Sequence, residues 1–176
     1  MEFRATIKGV SALKMNKPVL DSKIPRIRTE DDLIADAKIR TYFDEDIGFY
    51  VPAQAIRLAI VGGGKKIKQG RAFFSTFLRA VLRIKEREIP LGITDFNGQV
   101  EFIKEIHNIQ KQRISKCFVI FPAWELTFSG FLFEDADQGL IRKAIELAGI
   151  YEGLLESRPG KGFDFGRFEL KKFEVI

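Results

Sequence analysis

The sequence predicts an α+β fold, an antiparallel sheet with helices on one face, and three observations predict it. Period-two alternation of apolar and polar residues marks one strand at the start and others in the last third. Between two late strands lies a helix with one apolar stripe, Leu140, Ile141, Ala144, Ile145 and Ala148. The 176 residues are 45% hydrophobic, enough for the core of one domain, and no repeat or low-complexity segment divides them.

Residues 2–10 place Phe3, Ala5 and Ile7 on one face and Arg4, Thr6 and Lys8 on the other, a half-buried strand. Thr29 is a good N-cap for the acidic turn Glu30-Asp31-Asp32, so a short helix follows. Arg40 to Val51 reads as a hairpin turning at Asp44-Glu45-Asp46-Ile47-Gly48. Pro52 opens a helix to about Ile60, and Gly62–Gly70 reads as the flexible loop that breaks it. A helix from about Ala72 to Arg79, a strand at Val81–Lys85 and a turn-rich stretch from Pro90 to Gly98 come next. Glu101–Ile109 and Arg113–Phe121 are strand-like and expected to pair. Trp124–Phe133 is a strand, and Asp137 begins the striped helix, with Gly149 placed as its C-cap. Phe165–Val175 closes the chain as a strand whose parity shifts at Lys171-Lys172, the mark of a bulge. Together these elements give a ferredoxin-like or RRM-like sheet with helices on one face. Residues 1–176 read as a single domain and residues 18–98 as a helical insertion in it.

Seventeen phenylalanines against one tryptophan and three tyrosines are mostly core material. The net charge of +5 and pI near 9.3 favour a polyanionic partner. Cys117, the only cysteine, sits in the apolar run Cys-Phe-Val-Ile-Phe and reads as a buried strand thiol in a reducing compartment. No apolar stretch is long enough to span a bilayer, and the N-terminus lacks the hydrophobic core of a signal peptide. The expectation is a cytoplasmic protein (host cytoplasm if viral) with no cofactor and no membrane partner.

Charge is distributed unevenly. From Ile47 to Lys85 there is no Asp or Glu, yet eight cations. Arg57, Lys65, Lys66, Lys68, Arg71 and Arg79 are read from this stretch as a phosphate-binding stripe. Gly62-Gly-Gly-Lys-Lys lacks the Gly-x4-Gly-Lys-Ser/Thr pattern of a Walker loop. His107, the sole histidine, is a conceivable general base beside a lysine, but one His and one Cys cannot fill a zinc tetrahedron. Glu30-Asp31-Asp32 and Asp44-Glu45-Asp46 stand where helix starts and turns ordinarily carry acids.

The run from Gly149 to Leu170 holds five glycines, two arginines and three phenylalanines. Such a loop lets backbone approach a phosphate chain while rings stack on bases. Its residues Arg158, Gly160, Lys161, Gly162, Gly166 and Arg167 are the second half of the candidate binding set.

Three segments resemble a group of small phage and prophage proteins: Phe121-Pro-Ala-Trp-Glu-Leu-Thr-Phe, Glu146-Leu-Ala-Gly-Ile-Tyr-Glu-Gly and Arg158-Pro-Gly-Lys-Gly-Phe-Asp-Phe-Gly-Arg-Phe-Glu-Leu. The turn Gly9-Val-Ser-Ala-Leu is similar to that group's opening. More distantly, the glycine-rich loop resembles that of the RAMP superfamily, the ferredoxin-like RNA-binding proteins of CRISPR effector complexes. That resemblance implies binding of single-stranded nucleic acid and side-by-side assembly of copies along it. By position it carries over to Gly160, Gly162 and Gly166, flanked by Arg158 and Arg167. The processing nucleases of that superfamily use an early histidine, which this chain lacks, so nuclease activity does not transfer. The expected function is non-catalytic binding of single-stranded DNA or RNA by a phage-encoded protein. The alternatives are a metal-independent endoribonuclease using His107 and a phage structural or host-interaction protein.

Overall fold

The computed structural model describes residues 1–20, 26–134 and 136–176. Its largest sheet contains β1 (Glu2–Gly9), β7 (Leu82–Ile84), β11 (Glu125–Leu132) and β12 (Phe168–Val175), in the order β12-β1-β11-β7 with every neighbour antiparallel. Alternation along β1 sends Phe3, Ala5 and Ile7 to full burial. The β1–β12 register slips between Thr6 and Ile7, leaving Lys171 unpaired as the expected bulge. Two helices back this sheet: α2 (Ala53–Gly64) packs on α4 (Gln138–Tyr151), and α4 also packs on β12.

Residues 18–98 therefore contribute β7 to the main sheet and α2 to its helix layer, and their buried side chains belong to the same core cluster as β1 and β11. Residues 21–25 of that stretch lie outside the described residues. The same stretch also supplies α1 (Glu30–Ile39), capped by Thr29 through a capping box with Asp32, and the hairpin of β3 (Phe43–Asp44) and β4 (Gly48–Pro52). β8 (Glu88–Pro90) adds to β4. Phe49 on β4 is ringed by Phe43, Phe96 and Phe121 at 4.9–5.0 Å between centroids. β9 (Glu101–Ile109) and β10 (Gln112–Phe121) pair as the sequence predicts, with β2 (Leu13–Met15) on the other side of β10. Cys117 is buried there, and burial raises its thiol pKa.

Two sequence expectations are corrected. Gly62, Gly63 and Gly64 do not break α2; they are its last, buried turn. A Cβ on Gly63 would run into the Ala144 carbonyl and the backbone of Ala148, so the glycines let α2 lie close against α4. The remainder of the expected loop, past the C-cap Lys65, forms a small hairpin, β5 (Lys68–Gln69) with β6 (Ala72–Phe73), leading into α3 (Phe74–Val81). Gly149 likewise does not cap α4. It lies inside the helix, where a side chain would strike the Phe168 carbonyl, and the left-handed turn after the helix belongs to Gly153 at φ +65°.

Candidate nucleic-acid interface

Helix α2 continues unbroken through the glycines, and that continuity builds the site. Arg57, Val61 and Lys65 then recur at i, i+4 and i+8 on one face, with Leu58 and Gly62 beside them. These five residues line a concavity of about 370 Å3 whose remaining walls are Arg79 from α3, Glu152 from the end of α4, and Arg158. Four cations face one carboxylate. They come from the two sequence regions singled out above, brought together by the packing of α2 on α4.

Each cation is held differently. Arg57 Nε donates to the Leu82 carbonyl at 2.9 Å and Nη2 to the Arg79 carbonyl at 2.7 Å, so it caps the end of α3. Its acceptors are neutral, and it has no ion-pair partner among the described residues. Arg158 donates to Glu152 at 3.3 Å. Lys65 and Arg79 are exposed and have no ion-pair partner among the described residues.

A neighbouring recess of about 290 Å3 shares Leu58 and Arg158 with this one and extends it past Lys161 to Tyr42 and Asn16. Leu58, 52% exposed on a helix, is the apolar saddle between the two. Burial and then the Glu156 carboxylate hold the Tyr42 phenol above its ordinary pKa, leaving a neutral hydroxyl there. The two adjoining recesses make a groove that carries five cations, Arg57, Lys65, Arg79, Arg158 and Lys161, against the carboxylates Glu152 and Glu156. A roomier hollow of about 490 Å3 near Trp124 carries Lys8 against Glu101 and Glu125, a balance that does not favour an anion.

The C-terminal loop is shaped by contacts to the chain's start. Gly166, at φ +75°, approaches the Leu154 backbone too closely for any side chain. Its N–H donates to the Ala12 carbonyl at 2.8 Å. Ser157, at φ +52°, is held by the buried Lys14 ammonium at 3.1 Å. Gly160 N–H donates to the Glu152 carbonyl, and Gly162 supplies the left-handed turn after Pro159–Lys161. The arginines do not simply face outward. Arg167 is engaged by Asp164 and by the Ile150 carbonyl, so it closes the end of α4.

Of the other expected residues, Lys66 lies over the Tyr151 ring at 4.9 Å and Lys68 over Phe73 at 5.9 Å. Neither these two lysines nor Arg71 lines the groove. His107 stands apart on β9. Its Nε2 is 2.9 Å from Glu105 Oε2, and the other Glu105 oxygen accepts from Lys14 at 2.7 Å. The acidic triplets have local roles: Asp32 closes the α1 capping box, and Asp44 Oδ1 accepts from the Asp46 and Ile47 amides in its turn.

Leu58, Glu152 and Tyr42 were not singled out from the sequence. The first would follow from a helical wheel extended to Lys65; the other two arrive from distant segments with no local signal. No family model and no curated protein matches the chain. Among the described residues no helix is long and apolar enough to cross a membrane.

Proposed function

We propose that the protein binds single-stranded nucleic acid non-catalytically in this groove. One observation carries the reading: Arg57, Lys65, Arg79 and Arg158, drawn from two segments far apart in the chain, surround one concavity that holds a single carboxylate. A phosphodiester backbone is the ligand for which closely spaced cations in excess of the carboxylates on a concave surface are suited. The apolar saddle at Leu58 and the Tyr42 ring of the adjoining recess suit the bases of an unpaired strand.

The topology is in keeping with this. β1, α2, β7, β11, α4 and β12 follow one another with the strand order β12-β1-β11-β7, which we read as a ferredoxin-like unit. Most of its remaining elements are inserted after β1, after α2 and after β7. That reading, with the glycine-rich loop, supports a distant relation to the RAMP superfamily; a phage origin rests on the resemblance of the three C-terminal segments to phage and prophage proteins.

Binding of fluorescein-labelled single-stranded DNA, single-stranded RNA and duplex, followed by anisotropy against salt, tests the proposal. Neutralising about four phosphates gives a slope of log affinity on log salt of roughly −3, so affinity falls about fifty-fold between about 50 and 200 mM salt. Lys65→Glu and Arg79→Glu, at exposed side chains, should each flatten that slope by about one unit or more. No binding to any strand at low salt, or a slope near zero, rejects the reading.

A further inference from the structure

Beyond the groove, two phenylalanine rings stand where β11 leaves the sheet. Phe131 and Phe133 are 5.2 Å apart between centroids and nearly perpendicular, and Phe133 is 65% exposed. With Arg83 and Lys85 they line a recess of about 230 Å3. In the sheet register Phe131 lies opposite Arg83 of β7 on one side and Glu2 of β1 on the other. Lys85 is ion-paired to Glu2, which neutralises that side. Arg83 has no ion-pair partner among the described residues, and Glu134, next in the chain, does not line the recess. The recess thus combines a wide exposed ring, a second ring set at right angles and an uncompensated guanidinium.

Its position gives it an occupant. The Phe133 N–H donates to the Val81 carbonyl at 3.1 Å, and Val81 ends the helix that carries Arg79 into the groove. On this segment the recess begins at Arg83, which continues the acid-free stretch beyond Arg79, the last groove cation. Phe131, in register with Glu2 and Arg83, stands on the outer face of the main sheet beside its β7 edge, so a strand whose phosphates follow Arg158, Lys65, Arg57 and Arg79 reaches this corner by passing round that edge.

Resting on the proposed groove function, we propose that Phe131, Phe133 and Arg83 form a nucleobase-stacking site that takes one unpaired base of the strand. Phe133 offers the stacking face and Phe131 the flanking wall. Arg83 contacts the adjoining phosphate or lies over the base. Because the faces of a base in a duplex are covered by its stacked neighbours, this corner is what selects single strands over duplex.

The test uses the full chain and two labelled strands, an oligouridylate and the same backbone with abasic sugars. Phe133→Leu, at an exposed ring, keeps an apolar side chain and removes the flat face. It should weaken the oligouridylate roughly tenfold, with the salt slope unchanged. The abasic strand should bind variant and wild type alike, and a 2-aminopurine placed in the strand should lose its quenching in the variant. Arg83→Gln should weaken both strands and flatten the slope. Equal binding of the oligouridylate by Phe133→Leu and wild type, with an intact salt response, overturns the stacking site and leaves the groove standing. Wild-type protein that binds neither strand removes both.

Discussion

Lys14 is 1% exposed, and its ammonium is surrounded by Glu105 at 2.7 Å, the Ser157 hydroxyl at 3.1 Å and the Phe118 ring at 4.0 Å. A buried ammonium is tolerated only when paired and hydrogen-bonded. Glu105 is therefore the residue on which this contact, and the strained Ser157 turn it holds, depends. Glu105→Gln leaves the ammonium without its counter-charge. Breaking a fully buried pair costs roughly 3–5 kcal/mol; Glu105 is 30% exposed, so about 2 kcal/mol is expected by urea unfolding at neutral pH. Burial by itself would raise the Glu105 pKa, but hydrogen bonds from Lys14 and His107 outweigh it and hold the carboxyl below its ordinary range. A carboxylate depressed in the folded state stabilises fully above its unfolded pKa, about 4.3, and loses that contribution as pH falls through the lower folded value. The stability gap between wild type and Glu105→Gln should thus close on the acid side of about pH 4.3. A gap that stays constant from neutral pH down to that acid range would contradict this account.

At the scale of elements, the glycine run of α2 sets two effects against each other. Alanine is about 1 kcal/mol better than glycine inside a helix. At Gly63 the added methyl meets backbone, the Ala144 carbonyl and Ala148, which cannot move without parting α2 from α4. Overpacking of that kind costs typically 1–3 kcal/mol or more, so it outweighs propensity. Gly63→Ala should lower the unfolding free energy by about 2 kcal/mol. Gly62→Ala meets only the Glu152 side chain, which can swing aside, and should cost less. If Gly62→Ala proved the more damaging, the close helix approach would not be the reason for the run. This is also where the sequence stopped being legible. The β9–β10 pair, the bulge in β12 and the stripe of α4 are written in local alternation, and all are observed. Three adjacent glycines locally signal a breaker. Their use for close packing exists only once a second helix is beside them, and the same holds for Gly149. Ending α2 at Ile60 also hid the Arg57–Lys65 face on which the candidate groove is built.

For the whole molecule the decisive matter is which surface carries uncompensated charge. Away from its β7 edge, where Phe131 and Arg83 lie, the outer face of the main sheet presents Arg4, Thr6 and Lys8 from β1 beside Glu125, Thr127 and Ser129 from β11 and Glu169, Lys172 and Glu174 from β12. In register, Lys8 lies between Glu125 and Glu169, Arg4 opposite Glu174, and Thr6 bonds Thr127 at 2.9 Å. Opposite charges placed across strands satisfy one another, and these three β1 positions carry no ring for a base to stack on. The eight cations of the acid-free stretch have no such partners along their own segment, and the folding of α2 onto α4 gathers part of them at the opposite, helical side. Composition alone made the stretch legible, whereas its focus at Arg158 depended on the fold. Charge reversal therefore separates the two faces. Arg4→Glu and Lys172→Glu should leave oligonucleotide affinity within about twofold and the salt slope unchanged, because each exposed pair contributes only about 0–1 kcal/mol to stability and no phosphate contact is lost. Lys65→Glu and Arg79→Glu should lower affinity on the order of tenfold at low salt. Anisotropy titrations at several salt concentrations read both quantities. Equal losses from the sheet-face and groove substitutions would mean that binding follows net charge alone, and the groove would then have no special part in it.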